Sequence, residues 1–234
     1  MTRDVIELSH VSVRYKSRKS FFRHDIFTAL DDLSFTIKQG ETLGIIGTNG
    51  CGKSTLLRVL ANIYGVDGGA INWHCQHVSL LALSLGFDAE LSGRDNAIIS
   101  GMLLGARKKD VLAKLDEIIE FSELEKFIDK PIKTYSNGMR GRLGFSVAIK
   151  MKSDVLLIDE VLGVGDATFR EKASSAIINK INSNQTVVLV SHSMGQIRNL
   201  CNRVLWLESG KVQMIGEPEA VLSEYALFVA KKRS

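Results

Sequence analysis

Gly47-Thr48-Asn49-Gly50-Cys51-Gly52-Lys53-Ser54 is the stretch on which the fold turns. It fits G-x-x-x-x-G-K-[ST], a loop that gathers several backbone N–H groups around one anion. A β-carbon hinders some of the dihedrals this needs, hence the glycines. Residues 42–46, just before it, read as a short buried strand, and Leu56, Leu57 and Leu60 mark the apolar face of a helix that begins near Lys53. The helix N-terminus adds about half a positive charge. Lys53 can reach the β- and γ-phosphates of a nucleotide, the Ser54 hydroxyl can ligate Mg²⁺, and Thr55 can reach the α-phosphate. The bland alternative is a glycine-rich turn that matches by chance; the strand–loop–helix context argues against it.

Outward from this loop, the second informative stretch is Leu156-Leu157-Ile158-Asp159-Glu160. A bare apolar run fits a strand buried on both faces. Ending in two carboxylates, it delivers both to the sheet edge where ligands bind in such folds. Asp159 is placed to hold the Mg²⁺ shell and Glu160 to polarise a water as general base. Residues 186–190 form another such run, and His192 follows it in Val190-Ser191-His192-Ser193. A lone histidine is more often structural than catalytic, but this placement favours the same sheet edge. A fourth feature is Tyr135-Ser136-Asn137-Gly138-Met139. A serine ahead of a helix, with glycine two residues on, can cap it and offer N–H groups to an anion. The residues alone do not say whose phosphate it faces.

The remaining pattern organises around these sites. Residues 5–15 and 33–37 alternate as strands, and residues 16–27 read as a basic, aromatic long loop or insertion. Residues 71–73 and 78–81 are further strand candidates. From about residue 94 to 148 the period becomes helical, with Val111, Leu115, Ile118 and Ile119 in one stripe. Residues 204–207 and 212–215 form a hairpin around Ser209-Gly210, and Pro218 opens the last helix. The expected division is an α/β core over about 1–85 and 152–215, a helical subdomain over about 86–151 and a C-terminal helix over about 217–231.

Composition narrows the function classes. A net charge of +4 on 234 residues does not argue for nucleic acid, and no nucleic-acid partner is expected. Part of the excess is local: Arg14, Lys16, Arg18, Lys19 and Arg23 come without an intervening acid, and Lys231, Lys232 and Arg233 follow near the end. The three cysteines, Cys51, Cys75 and Cys201, fit a reducing compartment better than a disulfide framework. The start, MTRDVIEL, is charged where a signal peptide is apolar, and no run approaches the ~18 apolar residues of a spanning helix.

In this order, the pieces resemble the ATP-binding subunit of ABC transporters over nearly the whole chain. The resemblance implies the P-loop NTPase fold of ABC ATPases, a mixed sheet core with a helical subdomain, using ATP and Mg²⁺. It also implies a homodimer in which Ser136 and Gly138, in the signature loop, face the ATP held by residues 47–54 of the other subunit. By the same resemblance Tyr15 stacks on adenine, residues 163–166 form the D-loop, and His192 senses the γ-phosphate; a plain strand-end role is the rival for Tyr15.

The departures point to one branch. The signature reads YSNGM, with Asn137 for a glycine and Met139 for glutamine; the D-loop reads GVGD; the Q-loop glutamine is missing, so that water or Ser84 takes its place. A YSSGM-like signature and a GF-x-x-x-L-T-G-R-E-N-like segment, here residues 86–96, are similar to polysaccharide exporters for O-antigen, capsule and teichoic acid. Some members continue into a carbohydrate-binding domain; the ending at Ser234 is similar to the short type. The implied function is an ATPase on the cytoplasmic face of the bacterial inner membrane, driving an integral membrane permease pair that exports lipid-linked polysaccharide, with helices near residues 87–104 passing on the motion. The rivals are an ABC exporter of another substrate and a soluble ABC ATPase. Cys51, inside the phosphate loop, is expected to be shielded from thiol reagents by ATP.

Overall fold

A computed structural model describes residues 3–20, 23–81, 85–159 and 165–233, with side chains for all of these except 16–20, 23–25 and 233. The chain opens with β1 (Asp4–Ser20), β2 (Arg23–Lys38) and β3 (Thr42–Ile46), followed by α1 (Lys53–Leu60), β4 (Gly68–Trp73) and β5 (Val78–Leu80). A helical stretch comes next: α2 (Gly93–Leu103), α3 (Lys108–Ala113), α4 (Leu115–Ser122) and α5 (Asn137–Lys150). The later part alternates: β6 (Val155–Asp159), α6 (Ala167–Asn182), β7 (Thr186–Val190), α7 (Met194–Leu200), β8 (Arg203–Glu208), β9 (Lys211–Gly216) and α8 (Pro218–Arg233).

The strands form two sheets. A six-stranded sheet runs β5-β6-β7-β3-β8-β9, and a three-stranded sheet runs β2-β1-β4. In the first, β3 pairs in parallel with β7 and β8, β6 pairs in parallel with β5 and β7, and β9 closes the edge antiparallel to β8. Every residue of β3 and β7 is buried. Their uninterrupted apolar runs therefore reflect helices and the second sheet covering both faces. Because β3, β6 and β7 run the same way, their C-terminal ends emerge together, and the residues that follow each strand share one edge.

Three apolar cores match this layering. One fills the space between the two sheets around α1, from Ile6 and Leu33 to Leu57 and Leu205. A second lies on the other face of the large sheet, where Phe145 and Phe169 meet Ile158 and Leu189. The third belongs to the helical stretch: Val111, Leu115, Ile118 and Ile119 pack with Ile128, Tyr135, Leu143 and Val147. The predicted stripe is thus a real core face, although Lys114 breaks it into α3 and α4.

One expectation is corrected. Residues 16–20 and 23–27 do not belong to a long loop: β1 continues to Ser20, β2 starts at Arg23, and Lys16 pairs with Ile26, Arg18 with His24. Backbone pairing extends the hairpin through a stretch whose charges hide the period-2 pattern. The buried hairpin base is fixed by Arg203, which donates to Glu41 at 3.0 Å and to the Thr36 carbonyl at 2.9 Å, so that β8, β3 and β2 are tied together.

Candidate functional site

The phosphate loop leaves β3 and enters α1 as expected. Gly52 caps α1 with φ +112°. A β-carbon there would lie 2.6 Å from the Ala29 carbonyl oxygen and 3.0 Å from Leu30, so both the dihedral and the approach of β2 require glycine. Lys53 is buried, and its Nζ donates to the Gly47 carbonyl at 2.8 Å and the Thr48 carbonyl at 2.9 Å. These bonds bend the loop round the ammonium and hold the cation at its mouth.

A cavity of about 450 Å³ opens over the loop. It is lined by Asn49, Gly50, Gly52, Lys53, Ser54 and Thr55, by Asp159 at the end of β6, and by His192 just past β7. Three segments far apart in sequence therefore converge because their strands end at one edge. The donor set is that of a nucleoside triphosphate site: a helix N-terminus, one lysine and a hydroxyl. Ser54 and Asp159 both line this cavity with side-chain oxygens, the hard donor type that Mg²⁺ accepts.

Other expected residues are placed differently. Gly47, Thr48 and Cys51 do not line this cavity. The Thr48 hydroxyl donates instead to Glu208, at 2.8 Å and 3.0 Å to its two oxygens. Cys51 is only 3 % exposed, and burial pushes its thiol above the ordinary range. The fold itself therefore shields Cys51, and the expectation that ATP does so is revised. The Tyr15 hydroxyl lies 3.2 Å from Thr55 Oγ1, its ring meets Tyr64 edge-on, and it does not line the cavity. Phe27, its cross-strand partner on β2, does line it and is 60 % exposed. Sequence reading missed Phe27 because it fell in the supposed loop; the aromatic character of that stretch was the available signal. Glu160, Gly163, Val164, Leu83 and Ser84 lie outside the described residues, so the general base, half the D-loop and the Q-loop substitute do too.

The signature segment is built as a helix cap. Ser136 Oγ accepts from Met139 N at 3.2 Å, the first turn of the 14-residue α5 holds no acid, and a β-carbon at Gly138 would meet only the Ser136 hydroxyl, at 3.7 Å, so the helix start is uncrowded on that side. Neither Ser136 nor Gly138 lines the 450 Å³ cavity. Asp166, at the end of the D-loop segment, caps α6 through Phe169 N at 2.9 Å and pairs with Arg142 of α5 at 2.5 Å. The hydrogen bond from Phe169 N and the charge of Arg142 hold its carboxyl below the usual range. The 86–96 segment has a structural logic as well: Asn96, fully buried, accepts from Asp88 N and donates to the carbonyls of Asp88, Leu91 and Ser92.

Fold and site together define a phosphate-loop nucleotide-binding protein with an inserted helical layer. A family profile described as ABC transporter matches residues 30–163. The chain is 42% identical over 211 residues to the O-antigen export system ATP-binding protein RfbB of Myxococcus xanthus, covering 89% of this chain and 48% of that protein. It is 43% identical to the teichoic acids export ATP-binding protein TagH of Lactococcus lactis, covering 87% and 43%. A Klebsiella pneumoniae RfbB is 42% identical, covering 85% and 81%. The chain thus spans about half the length of the Myxococcus and Lactococcus relatives. The dimeric post-hydrolysis structure of the ATP-binding cassette MJ0796 bound to ADP and Pi has the same fold, with a TM-score of 0.73 at 21% identity over 91% of this chain and 98% of that one. This chain belongs to the ABC transporter family.

Proposed function

We propose that the chain is the ATP-hydrolysing subunit of an exporter that moves a lipid-linked, O-antigen-like polysaccharide across the bacterial inner membrane. The observation that carries the ATPase reading is the single cavity shared by Lys53, Ser54, Asp159 and His192. Support for the dimer comes from the dimeric state of the structurally similar MJ0796 cassette and from the Ser136 cap of α5, which does not line that cavity. Two copies complete each other: residues 47–54 of one subunit hold the triphosphate, and Ser136 and Gly138 of the second cover it. Ser54 and Asp159 would hold Mg²⁺, whose charge neutralises the phosphate oxygens. Glu160 orients and deprotonates the attacking water, and His192 contacts the γ-phosphate. The chain divides into an ATP-binding core over about 1–85 and 152–215, a helical subdomain over about 86–151 and a C-terminal helix.

The polysaccharide substrate is supported by the names of the relatives and by the YSNGM and 86–96 segments that this chain carries. Among the described residues no helix is long and apolar enough to cross a membrane. The export-system names of the relatives support a separate permease pair, with this chain on the cytoplasmic face. Support for its docking place comes from a groove of about 570 Å³ lined by Ile63, Trp73, Leu80, Leu85, Leu103 and Leu104, in which Ile63 and Leu103 are each 57 % exposed. The test is ATP turnover by the purified chain, with Glu160→Gln lowering it about 10²–10⁴-fold, and co-purification with a multi-spanning membrane protein that Leu103→Asp abolishes. Turnover unchanged by Glu160→Gln, or a chain that never associates with such a protein, would sink the respective half.

A further inference from the structure

A carboxylate stands behind the phosphate loop, where its charge opposes the anion that the loop is built to hold. Glu208, the last residue of β8, is 8 % exposed. It accepts from both the hydroxyl and the backbone N–H of Thr48, the latter at 3.3 Å. Gly210, just beyond it, donates to the Cys51 carbonyl at 2.9 Å, so the strand end and the loop are joined twice. Burial by itself pushes the Glu208 carboxyl up, but the bonds from Thr48 and Lys232 outweigh it and hold the group below the usual range. It is ionised at neutral pH.

The compensating charge comes from the far end of the chain. Lys232 Nζ, in the last turn of α8, lies 3.2 Å from Glu208 Oε1. An aromatic cluster sets its position: Lys232 lies over the Phe228 ring at 5.5 Å, Phe228 meets Trp206 at a tilt with centroids 5.0 Å apart, and Trp206 meets Tyr225 edge-on at 5.5 Å. Trp206 belongs to β8, so the surface that seats α8 leads into Glu208 two residues on. Lys232 and Glu208 also line, with residues 48–51, a cavity of about 290 Å³ that adjoins the larger one, sharing Phe27, Ala29, Asn49 and Gly50 with it but not Asp159 or His192.

We propose that Lys232 is a positioning residue for the nucleotide: it neutralises Glu208, so that the seating of the last turn of α8 sets how tightly the phosphate loop holds a triphosphate. With Lys232 in place the carboxylate serves only to orient Thr48. With the last turn lifted, a bare negative charge sits directly behind the loop and triphosphate affinity falls. The inference rests on the ATP-binding reading above.

The experiment is a titration of ATP, ADP and AMP against the wild-type chain, Lys232→Met, Lys232→Arg, Glu208→Gln and the Glu208→Gln/Lys232→Met pair, at low and high salt. Lys232→Met is expected to weaken ATP binding about three- to tenfold at low salt, less for ADP and least for AMP, with the loss shrinking as salt screens the charge. Lys232→Arg retains wild-type affinity. Adding Glu208→Gln to Lys232→Met restores affinity to within about twofold, because glutamine still accepts from Thr48 but carries no charge. A loss that Glu208→Gln does not repair, equal for ATP and AMP and indifferent to salt, would mean that Lys232 merely anchors the helix and would overturn the proposal. Unchanged binding in Lys232→Met would overturn it as well. A wild-type chain that binds no nucleotide would instead defeat the ATPase reading, so the two failures are told apart. The Lys232 side chain is 59 % exposed and in the last turn, so the Lys232 variants keep the fold.

Discussion

Gly93→Ala probes the packing that carries the signature loop. Gly93 is the first residue of α2 and its backbone is helical, so alanine meets no dihedral penalty. Space is the obstacle. A β-carbon there would collide with the Tyr135 hydroxyl, and would lie 3.0 Å from both the Ile128 carbonyl oxygen and Tyr135 Cζ. Tyr135 cannot easily yield, because it is 5 % exposed and its hydroxyl donates to the Phe127 carbonyl at 2.7 Å. Overpacking of this kind costs about 1–3 kcal/mol. Tyr135→Phe alone loses the hydrogen bond, about 1–2 kcal/mol. The double variant removes the oxygen that alanine strikes, so its cost should fall short of the sum by about 1 kcal/mol or more; the carbonyl and ring-carbon contacts remain, so the rescue is partial. Urea unfolding of the four chains measures this. Strict additivity would show that the hydroxyl is not what excludes a side chain at 93. Because Tyr135 immediately precedes Ser136, Gly93→Ala should also depress ATP turnover, and the double variant should recover part of it.

Three further outcomes are expected. Ser136→Ala removes the cap of α5 and should cost about 0.5–2 kcal/mol; if Ser136 also meets the partner's nucleotide, turnover falls by more than that loss of fold explains, which parallel melting and ATPase assays would reveal. Maleimide at neutral pH should label Cys75, which is half-buried, and spare Cys51 and Cys201, with or without ATP; burial pushes the Cys201 thiol up to about 12. Mass spectrometry of the labelled chain would contradict this if Cys51 reacted first. Glu208, held below its ordinary range in the folded chain, should add stability that is present above the unfolded carboxyl value, about 4.3, and lost as pH falls through the lower folded value. The melting margin of wild type over Glu208→Gln should therefore shrink on acidification, and a margin that grew would reverse the assignment.

Local chemistry made much of the site legible in advance. The phosphate loop, the apolar strand ending in Asp159, the serine cap at 136 and the proline-opened last helix each announce themselves within a dozen residues, and each lies where the fold needs it. Long-range contacts did not show. Glu208 reaches Thr48 across 160 positions. The Gly93–Tyr135 approach joins two segments whose individual residues look unremarkable. The strand pairing of residues 16–20 with 23–27 escapes a sequence reading because charged residues replace the apolar half of the strand alternation, and Phe27 escapes with it. The split of the strands into two sheets is equally a matter of pairing, which no single stretch encodes.

The central claim is that one chain holds only half of a catalytic site. The direct measurement is the mass in solution of the Glu160→Gln chain, with and without ATP. A 25.8 kDa particle should double when ATP is added, and Ser136→Arg should prevent the doubling while leaving ATP binding at Lys53 intact. A chain that stays at the single mass with ATP bound, or that pairs equally well without nucleotide and with Ser136→Arg, would contradict the account.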